Sequence, residues 1–185
     1  MISLVIDTAT NRTSVALFDG NQQLYSGFHD GATAHAEVLP KLVKEALANS
    51  DRIDEVVVGM GPGPFTGLRV GITFAQTFAH ARNIPWHGAC SLDAIDVDSD
   101  SYIVTSDARR KEVYWAKYQD GVRVEGPSVC VPDLIKERSE RKFGFGFTEA
   151  LYPSMAMLLA KSNTCPVTEP LYLRRPDAVP TSERS

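Results

Sequence analysis

The chain has 185 residues, enough for one or two small domains, and 43% of them are hydrophobic, so it can bury a core. Its formal net charge of −4 argues against a large basic nucleic-acid surface on this chain alone. The three cysteines include no C-x-x-C pair, which argues against a disulfide framework or a zinc cluster, and the lack of a basic start or a long apolar run predicts a cytoplasmic protein without a membrane segment.

The first half of the chain is predicted to combine strands with a helix. Two strands, Ser14–Phe18 and Gln22–Phe28, flank an Asp19-Gly20 turn, which favours a tight hairpin. A helix is predicted from a cap at Thr33 to about Ala48, because apolar residues recur there at helical spacing. Continuous apolar runs, which are typical of buried strands, lie at residues 2–6 and Ile53–Val58.

A glycine-rich loop follows the Ile53–Val58 strand and leads into a helix that begins near Thr66. Glycine permits positive φ and close approach, and such a loop at a helix N-terminus can bind an anion. A phosphate-binding P-loop ends in Gly-Lys-Ser/Thr, whereas Gly67 is followed by Leu-Arg. The dinucleotide-binding motif G-x-G-x-x-G does not match either. Gly61, Gly63 and Gly67 are spaced G-x-G-x-x-x-G, with three residues instead of two before the last glycine. The loop is therefore predicted to be structured without being an ordinary nucleotide site.

The segment after this helix is rich in aspartate. The helix is predicted to end at Asn83 and to be followed by a short strand, Trp86–Cys90. The next stretch, Ser91–Ser101, is interpreted as an acidic, solvated linker. A calcium loop is the alternative, but Ser101 and Asp107 occupy its required glycine and glutamate positions.

The second half of the chain repeats the pattern of the first. A strand ending at Asp107 corresponds to the strand before Asp7, and Asp120-Gly121 corresponds to the first hairpin turn. A repeat of this size predicts two lobes of one architecture, an N-terminal lobe at residues 1–92 and a smaller C-terminal lobe at 93–185. The order of elements predicts a mixed sheet flanked by helices.

A strand ending in Asp, a hairpin and an internal repeat are features of the actin, Hsp70 and sugar-kinase fold. More closely, three stretches resemble the bacterial TsaB (YeaZ) family: Ile6–Thr10, Gly61–Gly71 and Tyr172–Arg174. The resemblance covers the first lobe and returns at the C-terminus, whereas residues 122–165 match it less well. It implies an α/β protein with two actin/Hsp70/sugar-kinase-like lobes, built on an RNase H-like repeat, of which the second is reduced.

The resemblance also implies a function. Proteins of this family are similar to the catalytic protein TsaD but are not themselves the catalyst. They bind TsaD as a heterodimer and, with the ATPase TsaE, take part in transferring a threonylcarbamoyl group to the adenosine beside the anticodon of tRNA. The chain is therefore expected to be a non-catalytic subunit without a cofactor. It is expected to meet TsaE and tRNA through the complex, and to be a monomer or a homodimer when alone.

The metal ligands of the TsaD pattern are missing from this sequence. That pattern carries two histidines four residues apart, and the corresponding positions hold Ser91 and Ile95, of which Ile95 has no ligand atom. The histidines of the chain include no i, i+4 pair and no cluster with ligand spacing. We therefore predict no metal site and no catalytic residue.

Two polar candidates have structural interpretations that we favour. Asp7 stands where nucleotide-binding relatives place a metal-coordinating carboxylate, and with Gly61 and Gly63 it forms a vestigial cofactor-binding candidate. The favoured interpretation of Asp7 is a turn residue that accepts hydrogen bonds from backbone amides. Ser91 with His87 suggests a nucleophile and its base, but Ser91 is expected instead to cap a short helix.

Three further residues or runs are interpreted in the same way. Cys90 is expected to be a small core residue rather than a reactive thiol. His35 has no evident partner, so a surface or interface role is expected. The basic run Arg109–Lys111 is interpreted as a solvated hairpin tip, with a contact to tRNA or TsaE as the alternative.

The helix after the glycine loop is apolar round most of its circumference, and such a helix is buried on more than one side. One side is expected to face the sheet, and the other to be covered by the preceding helix or by a partner. That both helices simply cover one sheet face is an equally favoured alternative. Gly71 is expected to permit close approach of another element. The residues expected at the TsaD interface are His35, Leu39, Leu42, Arg69, Gly71, Thr73, Gln76, Thr77 and His80.

Two other functional classes remain open. A free-standing nucleotide-dependent kinase of the same fold is supported by Asp7 and the glycines, and opposed by the small second lobe. Binding and turnover of Mg-ATP by the isolated chain would favour it. A metallopeptidase homologue is the other class, and stoichiometric zinc or iron in the purified chain would support it.

Overall fold

The computed structural model describes residues 1–174. Their elements in chain order are β1 (Ile2–Asp7), β2 (Arg12–Asp19), β3 (Gln22–Asp30), α1 (His35–Leu47), β4 (Glu55–Gly59), α2 (Phe65–Arg82), β5 (Trp86–Ala89), a short 3-10 helix (Leu92–Ala94), β6 (Ser101–Asp107), β7 (Val113–Gln119), β8 (Val122–Cys130), α3 (Asp133–Lys136), β9 (Arg141–Gly144) and α4 (Met155–Thr164). No helix in this part of the chain is long and apolar enough to cross a membrane.

The first sheet has the strand order β3-β2-β1-β4-β5. Strands β1, β2 and β3 are antiparallel neighbours, and the Asp19-Gly20 turn joins β2 to β3 as the sequence predicts. Strands β4 and β5 run parallel to β1, with Ile6 opposite Val58 and Val58 opposite Gly88. Because parallel strands need a crossover connection, α1 leads from β3 to β4 and α2 leads from β4 to β5.

The second sheet repeats the first in reduced form. Its order β8-β7-β6-β9 has the same succession of antiparallel and parallel pairs as β3-β2-β1-β4. The aspartates that end β1 and β6 also behave alike. Asp7 accepts a hydrogen bond from the Ala9 amide at 3.0 Å, and Asp107 accepts one from the Arg109 amide at 2.7 Å. The predicted internal repeat and the actin/Hsp70/sugar-kinase-like fold are confirmed.

The two faces of the first sheet are covered by different helices. Successive strand residues point to opposite faces, so Val56 and Val58 join the core beneath α1 and α2. Val57, between them, packs with Met155 and Leu158 of α4 on the other face. A strand that is buried on both faces needs no polar residue at alternate positions, which explains the continuous apolar runs.

The last part of the second half returns to the first sheet. Helix α4 packs on it, and the segment that follows donates hydrogen bonds from the Val167 amide to the Gly88 carbonyl and from the Leu171 amide to the Met60 carbonyl, at 2.9 and 2.8 Å. We therefore propose that the boundary between residues 1–92 and 93–185 separates the two sheets but not the two lobes as a whole, because α4 and the segment after it also contact the first sheet.

Two local predictions are wrong. The residue that caps α1 is Ala34 rather than Thr33, and no side chain makes a capping hydrogen bond there. The first residues of the supposed linker, Ser91–Ile95, are all buried. The later aspartates, Asp96, Asp98 and Asp100, are exposed as expected.

Asp93 explains the burial of this segment. Its carboxylate accepts a hydrogen bond from the Tyr118 hydroxyl at 2.8 Å and lies 3.2 Å from Nε of Arg123. Both partners belong to the second sheet, so this network fastens the chain after β5 to the second lobe. Burial, with the negative charge of Asp93, raises the pKa of Tyr118 well above its usual range, which keeps the hydroxyl protonated as a donor.

Tyr118→Phe is expected to lower the free energy of unfolding by about 1–3 kcal/mol, because the buried Asp93 carboxylate loses a hydrogen bond. Tyr25→Phe is the matched control, since its hydroxyl binds the exposed carboxylate of Glu45, and a loss below about 1 kcal/mol is expected. Urea unfolding of the three proteins provides the measurement. Equal losses for the two variants would contradict a buried network at Asp93.

Candidate functional site

Three glycines at four-residue spacing form a surface on which the turn between β1 and β2 packs. A Cβ atom at Gly63 would lie 2.3 Å from the carbonyl oxygen of Ala9, and one at Gly71 would lie 2.3 Å from Oγ1 of Thr8. At Gly67 a Cβ atom would lie 2.8 Å from the Thr8 carbonyl oxygen. These distances are well below van der Waals contact, so the positions require glycine.

Thr8 fastens this contact. Its hydroxyl is buried and donates a hydrogen bond to the Gly67 carbonyl at 2.8 Å. Gly61, with φ at +94°, packs against Leu68 in the same way as Gly63 packs against Ala9. The close approach that the glycines of the loop permit is therefore used by the chain's own turn and helix.

Asp7 is a buried carboxylate at the end of β1, with 1% of its surface exposed. One oxygen accepts a hydrogen bond from the Ala9 amide, and the other accepts one from the Ser91 hydroxyl at 2.6 Å. Gly59 leaves room for this pair, since a Cβ atom there would lie 1.9 Å from the carboxylate. Burial raises the pKa of Asp7 to about 6, and the two hydrogen bonds oppose that rise only in part.

The interpretation of Asp7 as a turn residue that binds a backbone amide is confirmed. Ser91 stands at the N-cap position of the short 3-10 helix, as predicted, but its hydroxyl is donated to Asp7 and makes no capping hydrogen bond. His87 lies beside Glu55, with 3.6 Å between Nε2 and the carboxylate. The hydroxyl of Ser91 thus donates its hydrogen bond to Asp7, and His87 lies beside a different carboxylate.

The two positions at which the resemblance to TsaD expects histidines lie in the interior. Ser91 and Ile95 are each 2% exposed, and Ile95 packs in the same apolar cluster as Cys90. Burial raises the pKa of Cys90 to about 12, which keeps the thiol protonated and therefore unreactive at pH 7. Cys90 is thus a core residue, as predicted. Among residues 1–174, no three His, Cys, Asp or Glu side chains lie together in a way that could hold a metal ion.

Four of the nine residues expected at the interface lie inside the first lobe. Leu39 and Leu42 belong to the core beneath α1, and Gly71 faces Thr8. His35 is only 5% exposed. In the isolated chain each of these four residues is covered mainly by the chain itself, and their place at the TsaD interface stays a prediction.

His35 has a partner that the sequence did not reveal. Its Nδ1 lies 2.8 Å from the hydroxyl oxygen of Thr13 on β2. Burial, with a smaller effect from the positive charge of Arg109, lowers the pKa of His35. The ring is therefore neutral at pH 7 and joins the start of α1 to the sheet.

The other five residues lie on the exposed side of α2. Beside them are Phe74 and Phe78, half-buried, with ring centroids 6.0 Å apart and planes 17° from parallel. The guanidinium of Arg82 lies 4.7 Å from the centre of the Phe78 ring. The exposed stripe itself consists of Arg69, Thr73, Gln76, Thr77 and His80.

The C-terminal motif meets the first turn of α2, a contact that sequence reasoning missed. The rings of Phe65 and Tyr172 are 4.9 Å apart, and the guanidinium of Arg69 lies 5.3 Å from the Phe65 ring. A shallow cavity of about 290 Å³ opens beside them, between Phe65 and Thr73. Both segments belong to stretches that carry the family resemblance. That shared resemblance was the one feature of the sequence that could have suggested a contact between them.

The basic run Arg109–Lys111 forms the tip between β6 and β7, as predicted. All three residues have positive φ, between 52° and 63°, a conformation that costs about 1–2 kcal/mol per non-glycine residue. The turn is held from two sides. Asp107 pairs with Arg109, and the guanidinium of Arg174 binds both the Ala108 carbonyl and the Glu112 carboxylate.

Known proteins share both the sequence and the fold of this chain. A family model described as "TsaD: tRNA N6-adenosine threonylcarbamoyltransferase" matches residues 29–137, more than half of the chain. The "tRNA threonylcarbamoyladenosine biosynthesis protein TsaB" of Bacillus subtilis is 35% identical over 171 residues, which cover 84% of this chain and 75% of that protein. An uncharacterised protein of Mycobacterium leprae is 44% identical over 203 residues, but the match covers 97% of this chain and only 56% of that relative.

The solved structure "YeaZ from Pseudomonas aeruginosa" superposes with a TM-score of 0.74. The superposition covers 89% of this chain and 92% of that one at 24% sequence identity, a likeness that shows a shared fold.

Gly71→Ala is expected to lower the free energy of unfolding by about 1–3 kcal/mol, because the new methyl group would crowd Oγ1 of Thr8. In a Thr8→Ala background the clash with Oγ1 is removed, and the remaining contact with Cβ of residue 8 would be 3.3 Å. The higher helix propensity of alanine should then offset most of the cost and make the same change close to neutral, within about 1 kcal/mol. Urea unfolding of the four chains gives the coupling energy, which we expect to exceed about 1 kcal/mol. Additive effects would show that Thr8 does not fill the space beside Gly71.

Asp7→Asn is expected to change how stability depends on pH. The folded pKa of Asp7, about 6, lies above the ordinary value of 3.8, so its favourable contribution is complete below pH 3.8 and is lost as the pH rises through 6. The variant lacks this titration. Relative to the natural chain, the free energy of unfolding of Asp7→Asn should therefore rise by about 2 kcal/mol between pH 4 and 7.

Ser91→Ala serves as the companion variant, measured by the same unfolding experiment across pH. It removes the hydrogen bond that lowers the pKa of Asp7, so the pH range over which stability is lost should move upward. Parallel stability curves for Asp7→Asn and the natural chain would contradict the burial of an ionisable Asp7.

Proposed function

The chain belongs to the TsaB (YeaZ) family, and we propose that it is a non-catalytic subunit that binds and activates TsaD in the biosynthesis of threonylcarbamoyladenosine in tRNA. In this proposal TsaD transfers the threonylcarbamoyl group to the adenosine beside the anticodon. TsaE and tRNA meet the chain through the complex. The names of the relatives support the pathway, and the contacts of α1 and α2 support the role.

The exposed side of α2 is the observation that carries the proposal. Its centre is formed by Thr73, Gln76 and Thr77, which have no charge, beside the stacked rings of Phe74 and Phe78. Depletion of charge with enrichment in aromatic residues is typical of the centre of a protein interface. Partner residues on this stripe would bury the half-exposed edges of both rings.

The neighbouring helix α1 provides the contrast. Its outward side carries charged residues, including the exposed ion pair between Glu37 and Lys41 at 2.7 Å, followed by Lys44 and Glu45. Exposed charges of this kind are typical of a solvated helix face or of an interface rim. The two helices together therefore offer an uncharged centre on α2 with a charged border on α1.

The surroundings of Asp7 support an accessory role over the kinase alternative. Both carboxylate oxygens are engaged, one by the Ala9 amide and one by the Ser91 hydroxyl. The loop glycine Gly63 packs against the backbone of Ala9. A nucleotide that used the carboxylate and the loop would have to break these buried contacts.

The proposal is tested by purifying the chain with TsaD from the same organism. Co-elution at micromolar concentration is expected, and formation of threonylcarbamoyladenosine on tRNA should depend on adding the chain to TsaD and TsaE. Separate elution, together with full modification in the absence of the chain, would overturn the proposal.

Thr73→Arg is expected to weaken the complex with TsaD by at least about tenfold, because it places a long cation at the centre of an uncharged interface. Position 73 is exposed on α2, so the melting temperature of the free chain should stay the same. Thr164→Arg, at an exposed position of α4 on the opposite face of the sheet, is the matched control and should bind normally. If Thr73→Arg bound TsaD as tightly as the control, α2 would be removed from the interface.

A further inference from the structure

A second cavity lies on the face of the first sheet opposite α1 and α2. It has a volume of about 320 Å³ and opens between the C-terminal half of α4 and the N-terminal ends of β1 and β4. Much of its wall is apolar, with Phe18 of β2 facing Leu159 and Ala160 of α4. The volume is at the lower end of the range for small-molecule sites.

The same cavity is lined by a buried acid. Glu55, the first residue of β4, is 5% exposed and is followed directly by the buried run Val56–Val58. One of its oxygens accepts a hydrogen bond from the hydroxyl of Ser3 at 2.6 Å, and Ser3 is 1% exposed and also lines the cavity. A carboxylate in such surroundings is costly unless a cation or several donors compensate it.

The cations near Glu55 leave it incompletely paired. The second carboxylate oxygen lies 3.6 Å from Nε2 of His87, which is too long for a hydrogen bond. The Met1 ammonium, at the rim of the cavity, is 3.1 Å from Asp19 instead. Within residues 1–174, therefore, no cationic group makes a hydrogen bond to Glu55.

We propose that this cavity binds a small molecule that carries a primary ammonium group on an apolar body. The ammonium would donate a charge-assisted hydrogen bond to the Glu55 oxygen that is not bound by Ser3. The body would pack between Phe18 and Leu159 and would exclude water from the carboxylate. At about 30 Å³ for each non-hydrogen atom, the cavity admits a ligand of about ten such atoms.

The test compares 2-phenylethylamine with 2-phenylethanol, which have nearly the same shape and differ in charge. Titration into the full chain, followed by isothermal calorimetry and by amide chemical shifts in NMR, is expected to show that the amine binds at least about tenfold more tightly. Glu55→Gln keeps an acceptor for Ser3 but removes the charge, so it should abolish that preference. No saturable binding of the amine, equal binding of the two probes, or an unchanged preference in Glu55→Gln would overturn the proposal.

A second pair of variants tests the location of the site. Ala160→Leu extends a side chain into the cavity from an exposed position of α4 and is expected to weaken binding of the amine at least about tenfold. Ala81→Leu, at an exposed position of α2, is the matched control and should bind as the natural chain does. Undiminished binding by Ala160→Leu would show that the amine binds elsewhere. The proposed TsaD surface is on the other face of the sheet, so these results are independent of the proposed function.

Discussion

The packing of the β1–β2 turn against the glycines of the loop and of α2 is the constraint on which the first lobe depends. Gly63, Gly67 and Gly71 must face the turn, because any side chain there would collide with Thr8 or Ala9. This requirement fixes the rotation of α2 about its axis. At about 100° per residue, Thr73, Gln76 and Thr77 lie on the side of the helix turned away from Gly71. The uncharged centre of the exposed stripe is thus a direct consequence of where the glycines stand.

The same packing gives two equivalent aspartates different degrees of burial. Asp7 and Asp107 end corresponding strands and accept the same hydrogen bond from the amide two residues later. The side chain of Asp107 is 30% exposed, whereas Asp7 is 1% exposed and has a pKa raised to about 6. The difference arises because the glycine loop, α2 and Ser91 close over the first turn. Burial in the first lobe therefore converts a strand-end carboxylate into a structural acceptor.

Local patterns of the sequence predicted the elements of this fold, but not the contacts between distant segments. Continuous apolar runs identified β1 and β4, and Asp-Gly pairs identified both hairpins, because these signals act over a few residues. The bond from Ser91 to Asp7 joins residues 84 positions apart, and the burial of Asp93 depends on Tyr118 in the other sheet. Gly71 was correctly expected to permit close approach, but the element that approaches is the turn at Thr8 rather than a partner.

The three stretches that carry the family resemblance form one structural unit. The turn at Thr8 packs on Gly67, and the Tyr172 ring contacts Phe65. Directly beside the second and third stretches, the Leu171 amide donates a hydrogen bond to the Met60 carbonyl. Arg174 then reaches across to the turn after β6 and binds Ala108 and Glu112 in the second lobe. Each of these contacts either holds α2 in place or joins the two lobes.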